Sequence, residues 1–171
     1  MPAGDAASAA PGPPIVVFAI DPGRVKCGIA VVARDDLEPN PDSTGPAPCS
    51  RVCHREIVET QRLVARVLSL LPGHPIEALL VGDATGGNVL ARALRDALHA
   101  AGRPSLPVLL VNEAFTSQRA RARFLAENQP RGLQRLLPRS LRIPPVPIDD
   151  YAAVLLAEDF FAGSAPSPGG Q

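Results

Sequence analysis

Lysine is nearly absent, cysteine is scarce, net charge is nil and long apolar runs are missing, and each shortage removes a class of protein. No stretch reaches the roughly 18 consecutive apolar residues that a bilayer span needs, and residues 1–14 lack the basic start and apolar stretch of a signal peptide. A cytoplasmic protein that avoids membranes is expected. Three cysteines, an odd number, make no disulfide framework and agree with a reducing compartment. Cys49, Cys53 and His54 lie close together, but structural zinc takes four ligands and no second Cys/His pair follows at usable spacing, so zinc is not expected. Cys27 suits the inside of a strand.

Seventeen basic residues cancel seventeen acidic ones, which at first argues against a nucleic-acid partner. The charges are unevenly placed, however. Between residues 114 and 148 seven arginines (Arg119, Arg121, Arg123, Arg131, Arg135, Arg139, Arg142) stand against one acid, Glu127, leaving the rest of the chain acidic. Such a segment is either a solvated loop or a surface that contacts phosphates. Lys26 is the only lysine.

With 171 residues, 46% of them hydrophobic, the chain has the material for about one domain with a core of its own. Residues 1–14 and 163–171 are small and rich in proline and glycine, and are expected to be disordered tails around a domain over 15–162. Within it, the β-branched apolar runs 15–20 and 28–33 predict a strand hairpin across Asp21-Pro22-Gly23. A proline-rich loop follows over 35–48, and a third strand is predicted over 50–58. A helix is predicted over 59–71, with Leu63, Val64, Val67, Leu68 and Leu71 on one face and Pro72-Gly73 ending it. Next come a buried strand over 78–82, a helix capped by Asn88 and closed by Gly102, and a strand over 107–111. A helix capped by Thr116 and running to Glu127, an arginine- and proline-rich loop over 130–147, and a last helix capped by Asp149 or Asp150 and reaching Ala162 complete the order. Three strands followed by strand–helix alternation predict an α/β domain with a mixed five-stranded sheet, three strands antiparallel and then two parallel, and helices on both faces.

Three acids stand at informative places: Asp21 at the end of the first strand, Glu113 just past the strand 107–111, and Asp149 beside Asp150 at the start of the last helix. Asp21 before Pro22-Gly23 also suits a turn, and Asp149 also suits a helix cap. If the two strands are neighbours and the helix packs beside them, the carboxylates converge, and converging carboxylates repel unless cations sit among them. Hard oxygen ligands select Mg²⁺ or Mn²⁺, and two such ions can activate a water and stabilise a leaving oxygen at a phosphodiester.

The segment Phe18-Ala-Ile-Asp21-Pro-Gly-Arg-Val-Lys26-Cys-Gly28-Ile-Ala-Val resembles the first-strand signature of the YqgF family, a branch of the RuvC-like RNase H superfamily. Val111-Asn-Glu113-Ala-Phe-Thr116-Ser-Gln-Arg-Ala120-Arg resembles that family's D-E-R-x-T-T-x-x-A element, and Ile148-Asp149-Asp-Tyr-Ala-Ala153-Val-Leu-Leu-Ala-Glu158 its closing helix. The resemblance implies an RNase H-like fold. It also implies a metal-dependent nuclease with Asp21, Glu113 and Asp149 as catalytic metal ligands, Asp150 as a substitute for the third. The activity implied is maturation of the 16S rRNA precursor. The alternative is a RuvC-like nuclease acting on Holliday junctions or single strands of DNA, which works as a homodimer. Lys26 stands where the family carries a basic residue, and Lys26, Arg131, Arg135, Arg139 and Arg142 are the candidate contacts to structured or single-stranded RNA, or to branched DNA. Asn112 and Ala114 depart from the family's Asp and Arg, and the loop 82–88 stands where the family has a glycine-x-proline turn. That loop could hold a phosphate at a helix start, although Asp83 within it would repel one.

Two other classes remain. Actin-like and sugar-kinase phosphotransferases share this fold and an Asp-x-Gly turn, but need two such domains with nucleotide between them, and the chain has length for one. A non-catalytic nucleic-acid-binding module would be favoured if the three acids failed to converge.

Overall fold

The computed structural model describes residues 14–34, 50–83, 86–113 and 149–162. Five strands form one sheet: β1 (Ile15–Asp21), β2 (Lys26–Arg34), β3 (Ser50–Glu59), β4 (Ile76–Gly82) and β5 (Val108–Val111), in the spatial order β3-β2-β1-β4-β5. β1, β2 and β3 are antiparallel neighbours, whereas β4 runs parallel to both β1 and β5. The mixed sheet expected from the element order is therefore present. β1 occupies the middle because Val16 to Ile20 are apolar on both faces, and all five are buried.

The two faces of the sheet differ in bulk, and this decides how closely each helix approaches. One face presents Phe18, Ile20, Ile29, Val31, Leu79 and Val81. Against it pack α1 (Leu63–Leu70) through Leu63 and Val67, and α2 (Gly87–Ala100) through Ala91, Leu94 and Leu98. Full burial of each large aliphatic or aromatic side chain there contributes about 1.5–3 kcal/mol. The opposite face presents the smaller set Val17, Ala19, Ala30, Val32 and Ala78 to α3 (Asp149–Phe161), which answers with Ala153, Val154, Leu156 and Ala157. Small residues on both partners let the helix lie close to the strands.

Several boundaries differ from the sequence expectation. The first helix is shorter, Leu63–Leu70, with 3₁₀ turns at Thr60–Arg62 and Leu71–Gly73, so Pro72 lies within the closing turn. Asn88 does not cap α2. The helix begins two residues earlier than such a cap would give, at Gly87, and the capping position belongs to Gly86 in a left-handed conformation (φ 97°) with no side-chain cap. A side chain is replaced there by backbone freedom, which glycine supplies without steric cost. Asp149 and Asp150 both lie inside the first turn of α3 rather than before it. Negative charge is favourable there, near the free N–H groups of the helix start. The predicted helix 116–127, the loop 130–147 and both tails lie outside the described residues. Among the described residues, no helix is long and apolar enough to cross a membrane.

Candidate active site

The strands β1, β4 and β5 run in the same direction, so their carboxyl ends form one rim, the place where open α/β sheets bind ligands. Asp21 is the last residue of β1 and lies half-buried at that rim. Glu113 follows β5 by two residues, and Asp149 opens α3 on the adjoining face.

Asp21 feels the other two acids. Burial pushes the Asp21 carboxyl up from 3.8 to about 7, and the negative charges of Glu113 and then Asp149 push it in the same direction. Asp149 is itself raised, first by burial and then by the charge of Asp150, while the nearby Lys26 ammonium pulls it down. The structure thus brings Asp21, Glu113, Asp149 and Lys26 to one end of the sheet. Arg131, Arg135, Arg139 and Arg142 lie outside the described residues.

Asp150 goes elsewhere. Its carboxylate faces Arg55 of β3 at 3.6 Å, and the same guanidinium lies 4.0 Å from the centre of the Tyr151 ring and donates to the Tyr151 hydroxyl at 3.0 Å. Arg55 therefore holds the first turn of α3 through two consecutive side chains, directing Asp150 toward β3 while Asp149 shares the field of Asp21. No spacing in the sequence singled out Arg55; only the pairing of β3 with β2 places it beside the helix.

Two glycines make room for the acids. Gly28 sits opposite Asp21 in the β1–β2 register, and a Cβ there would overlap the main chain of Asp149 and Asp150. The glycine seven residues after the first aspartate thus exists so that the start of α3 can rest on β2. Gly28→Ala is expected to destabilise the fold by about 3 kcal/mol or more, because backbone rather than a flexible side chain must move. Urea unfolding measures this, and an unchanged midpoint would mean that α3 does not sit on β2. Gly82 at the end of β4 does the same for Glu113, whose carboxylate lies across the space a Cβ would fill.

The loop after Asp21 is tied down from the β3 side. Thr60 donates from Oγ1 to the Gly23 carbonyl at 3.0 Å and from its amide to the Val25 carbonyl at 2.9 Å. Cys27 is fully buried in β2, as its strand position suggested, with its Sγ 3.5 Å from both the Gly23 amide and Thr60 Oγ1.

As they stand, no three His, Cys, Asp or Glu side chains among the described residues are gathered tightly enough to hold one ion. The electrostatics nevertheless suit a cation: burial, with the charges of Glu113 and Asp149 added to it, raises the Asp21 carboxyl to about 7. The part contributed by those charges is what a hard divalent ion would relieve. In ligand type and charge the residues fit Mg²⁺ or Mn²⁺.

The sequence matches no protein-family model and no curated protein. Solved structures are similar, however. Thermus thermophilus RuvC in complex with Holliday junction substrate is 23% identical, with 89% of this chain and 99% of that chain covered and a TM-score of 0.53. A second Thermus thermophilus RuvC structure is 24% identical over the same shares, with a TM-score of 0.49. Together with the β3-β2-β1-β4-β5 sheet, the first of these defines the class of fold as RNase H-like, of the RuvC type.

Proposed function

We propose that this chain is a divalent-metal-dependent nuclease that hydrolyses phosphodiester bonds, with Asp21, Glu113 and Asp149 as its catalytic metal ligands. The observation that carries the reading is the placement of these three carboxylates at one end of the sheet, Asp21 ending β1, Glu113 two residues past β5 and Asp149 opening α3, with the charges of Glu113 and Asp149 both reaching Asp21. Mg²⁺ or Mn²⁺ bound there would supply an activated water and positive charge at the leaving oxygen. The chain's own residues do the rest. Gly28 and Gly82 leave space for the acids, Arg55 pairs with Asp150 beside them, and Lys26 offers a cation to a substrate phosphate at the rim.

The substrate we infer is RNA, in maturation of the 16S rRNA precursor, supported by the resemblance to the YqgF family carried by the segments around Asp21, Glu113 and Asp149. A second reading, cleavage of Holliday junctions or single-stranded DNA by a cytoplasmic homodimer, is favoured by the RuvC neighbour, which was solved with a Holliday junction substrate. Incubation with labelled structured RNA and four-way DNA junctions, each with Mg²⁺, Mn²⁺ or EDTA, separates the two. Cutting of RNA in Mn²⁺ or Mg²⁺ but not in EDTA is expected. Cutting of junctions alone would transfer the assignment to DNA, and no cutting of either would remove the nuclease reading.

Arg131, Arg135, Arg139 and Arg142 are proposed to contact phosphates flanking the cut bond. Each neutralised phosphate releases counterions, so replacing two of these arginines should lower the slope of log affinity against log salt by roughly 1.4 to 1.8. An unchanged slope in filter-binding measurements would leave them as ordinary solvated surface.

A further inference from the structure

Asp83 follows β4 directly, is exposed, and makes two contacts with the chain leaving β5. Its amide donates to the Val111 carbonyl at 2.9 Å, and its Oδ1 accepts from the Glu113 amide at 3.1 Å. In a parallel ladder one residue bonds two positions spaced two apart on its neighbour, one through its N–H and the other through its C=O. The partner for the Glu113 amide would then be Asp83's own carbonyl. Here the Asp83 side chain accepts that bond, extending the β4–β5 pairing one rung beyond the strands. Gly82, immediately before it, leaves the space over which the Glu113 carboxylate lies.

We propose that Asp83 is a positioning residue for Glu113: it fixes the backbone from which that carboxylate projects, while Gly82 fixes where the carboxylate can lie. This rests on the nuclease reading for its effect on rate, but not for its effect on structure. A catalytic group displaced by about 1 Å can lose on the order of 10²-fold in rate. The acceptor oxygen of Asp83 is engaged by the Glu113 amide, which ties the end of β4 to the chain that carries the carboxylate.

Two substitutions separate acceptor from charge. Asp83→Ala removes both, whereas Asp83→Asn keeps an Oδ1 acceptor and loses the charge; the side chain is exposed, so neither opens the core. Hydrogen exchange at the Glu113 amide should accelerate in Asp83→Ala and stay near wild type in Asp83→Asn. Turnover should fall about 10²-fold in Asp83→Ala with KM little changed, and recover to within severalfold in Asp83→Asn. Unchanged Glu113 exchange in Asp83→Ala would overturn the proposal. Equal loss of turnover in both variants would also overturn it, because the carboxylate charge itself would then be the working part. If the wild-type protein cuts no nucleic acid, the nuclease reading fails while the exchange comparison still decides the role of Asp83.

Discussion

Asp21→Asn is expected to reduce cleavage by at least roughly 10³-fold while leaving the fold and most nucleic-acid binding intact. The substitution keeps the size of the side chain and removes the charge at the centre of the acid cluster, whose other members are Glu113 and Asp149. The loss should appear in turnover rather than in KM, since the phosphate contacts proposed for Lys26 and the arginine-rich segment are untouched. Single-turnover cleavage under Mg²⁺ and Mn²⁺, with circular dichroism as the folding control, measures it. Wild-type rates in this variant would remove Asp21 from the catalytic set.

Without divalent metal, the same substitution is expected to stabilise the protein at alkaline pH. The folded chain holds a proton on Asp21 up to about pH 7, whereas the unfolded chain releases it near 3.8. Between those values the folded state binds more protons than the unfolded one, so stability falls as pH rises. The loss is complete above about pH 7 and amounts to as much as about 4 kcal/mol at about 1.4 kcal/mol per pH unit. Asp21→Asn cannot ionise, so its unfolding midpoint should exceed that of wild type at pH 8, and the difference should close as pH approaches 4. A divalent ion should raise the wild-type midpoint at pH 8 by binding the folded state and should do much less for the variant. Parallel pH dependence in the two proteins would show that Asp21 does not carry the cluster's electrostatic cost.

Much of the fold was legible from local pattern. The apolar runs around Phe18 and Val31 read as strands, and the one-faced spacing of Leu63, Val64, Val67 and Leu68 reads as a helix, because burial on one or both faces imposes those patterns directly. The helix starts at Gly86-Gly87 rather than at an Asn88 cap for a local reason as well: a left-handed glycine can do what a capping side chain does, and sequence does not show φ.

The sequence by itself determined the stock of chemistry: the oxygen-only acids Asp21, Glu113 and Asp149, the single lysine near them, and a glycine seven residues after the first acid. Only the tertiary structure decided how they are arranged. Asp149 and Asp150 are adjacent and chemically identical, and neither period nor composition separates them. Their neighbours do: Arg55 on β3 takes Asp150, and the field of Asp21 takes in Asp149. Likewise Gly28 and Gly82 read locally as strand ends and Asp83 as a loop residue, and they acquire their roles only when the main chain of α3 and the carboxylate and amide of Glu113 arrive beside them. Local pattern records what each residue prefers. Which residue faces which acid depends on contacts between strands and helices far apart in sequence, and those exist only in the assembled sheet.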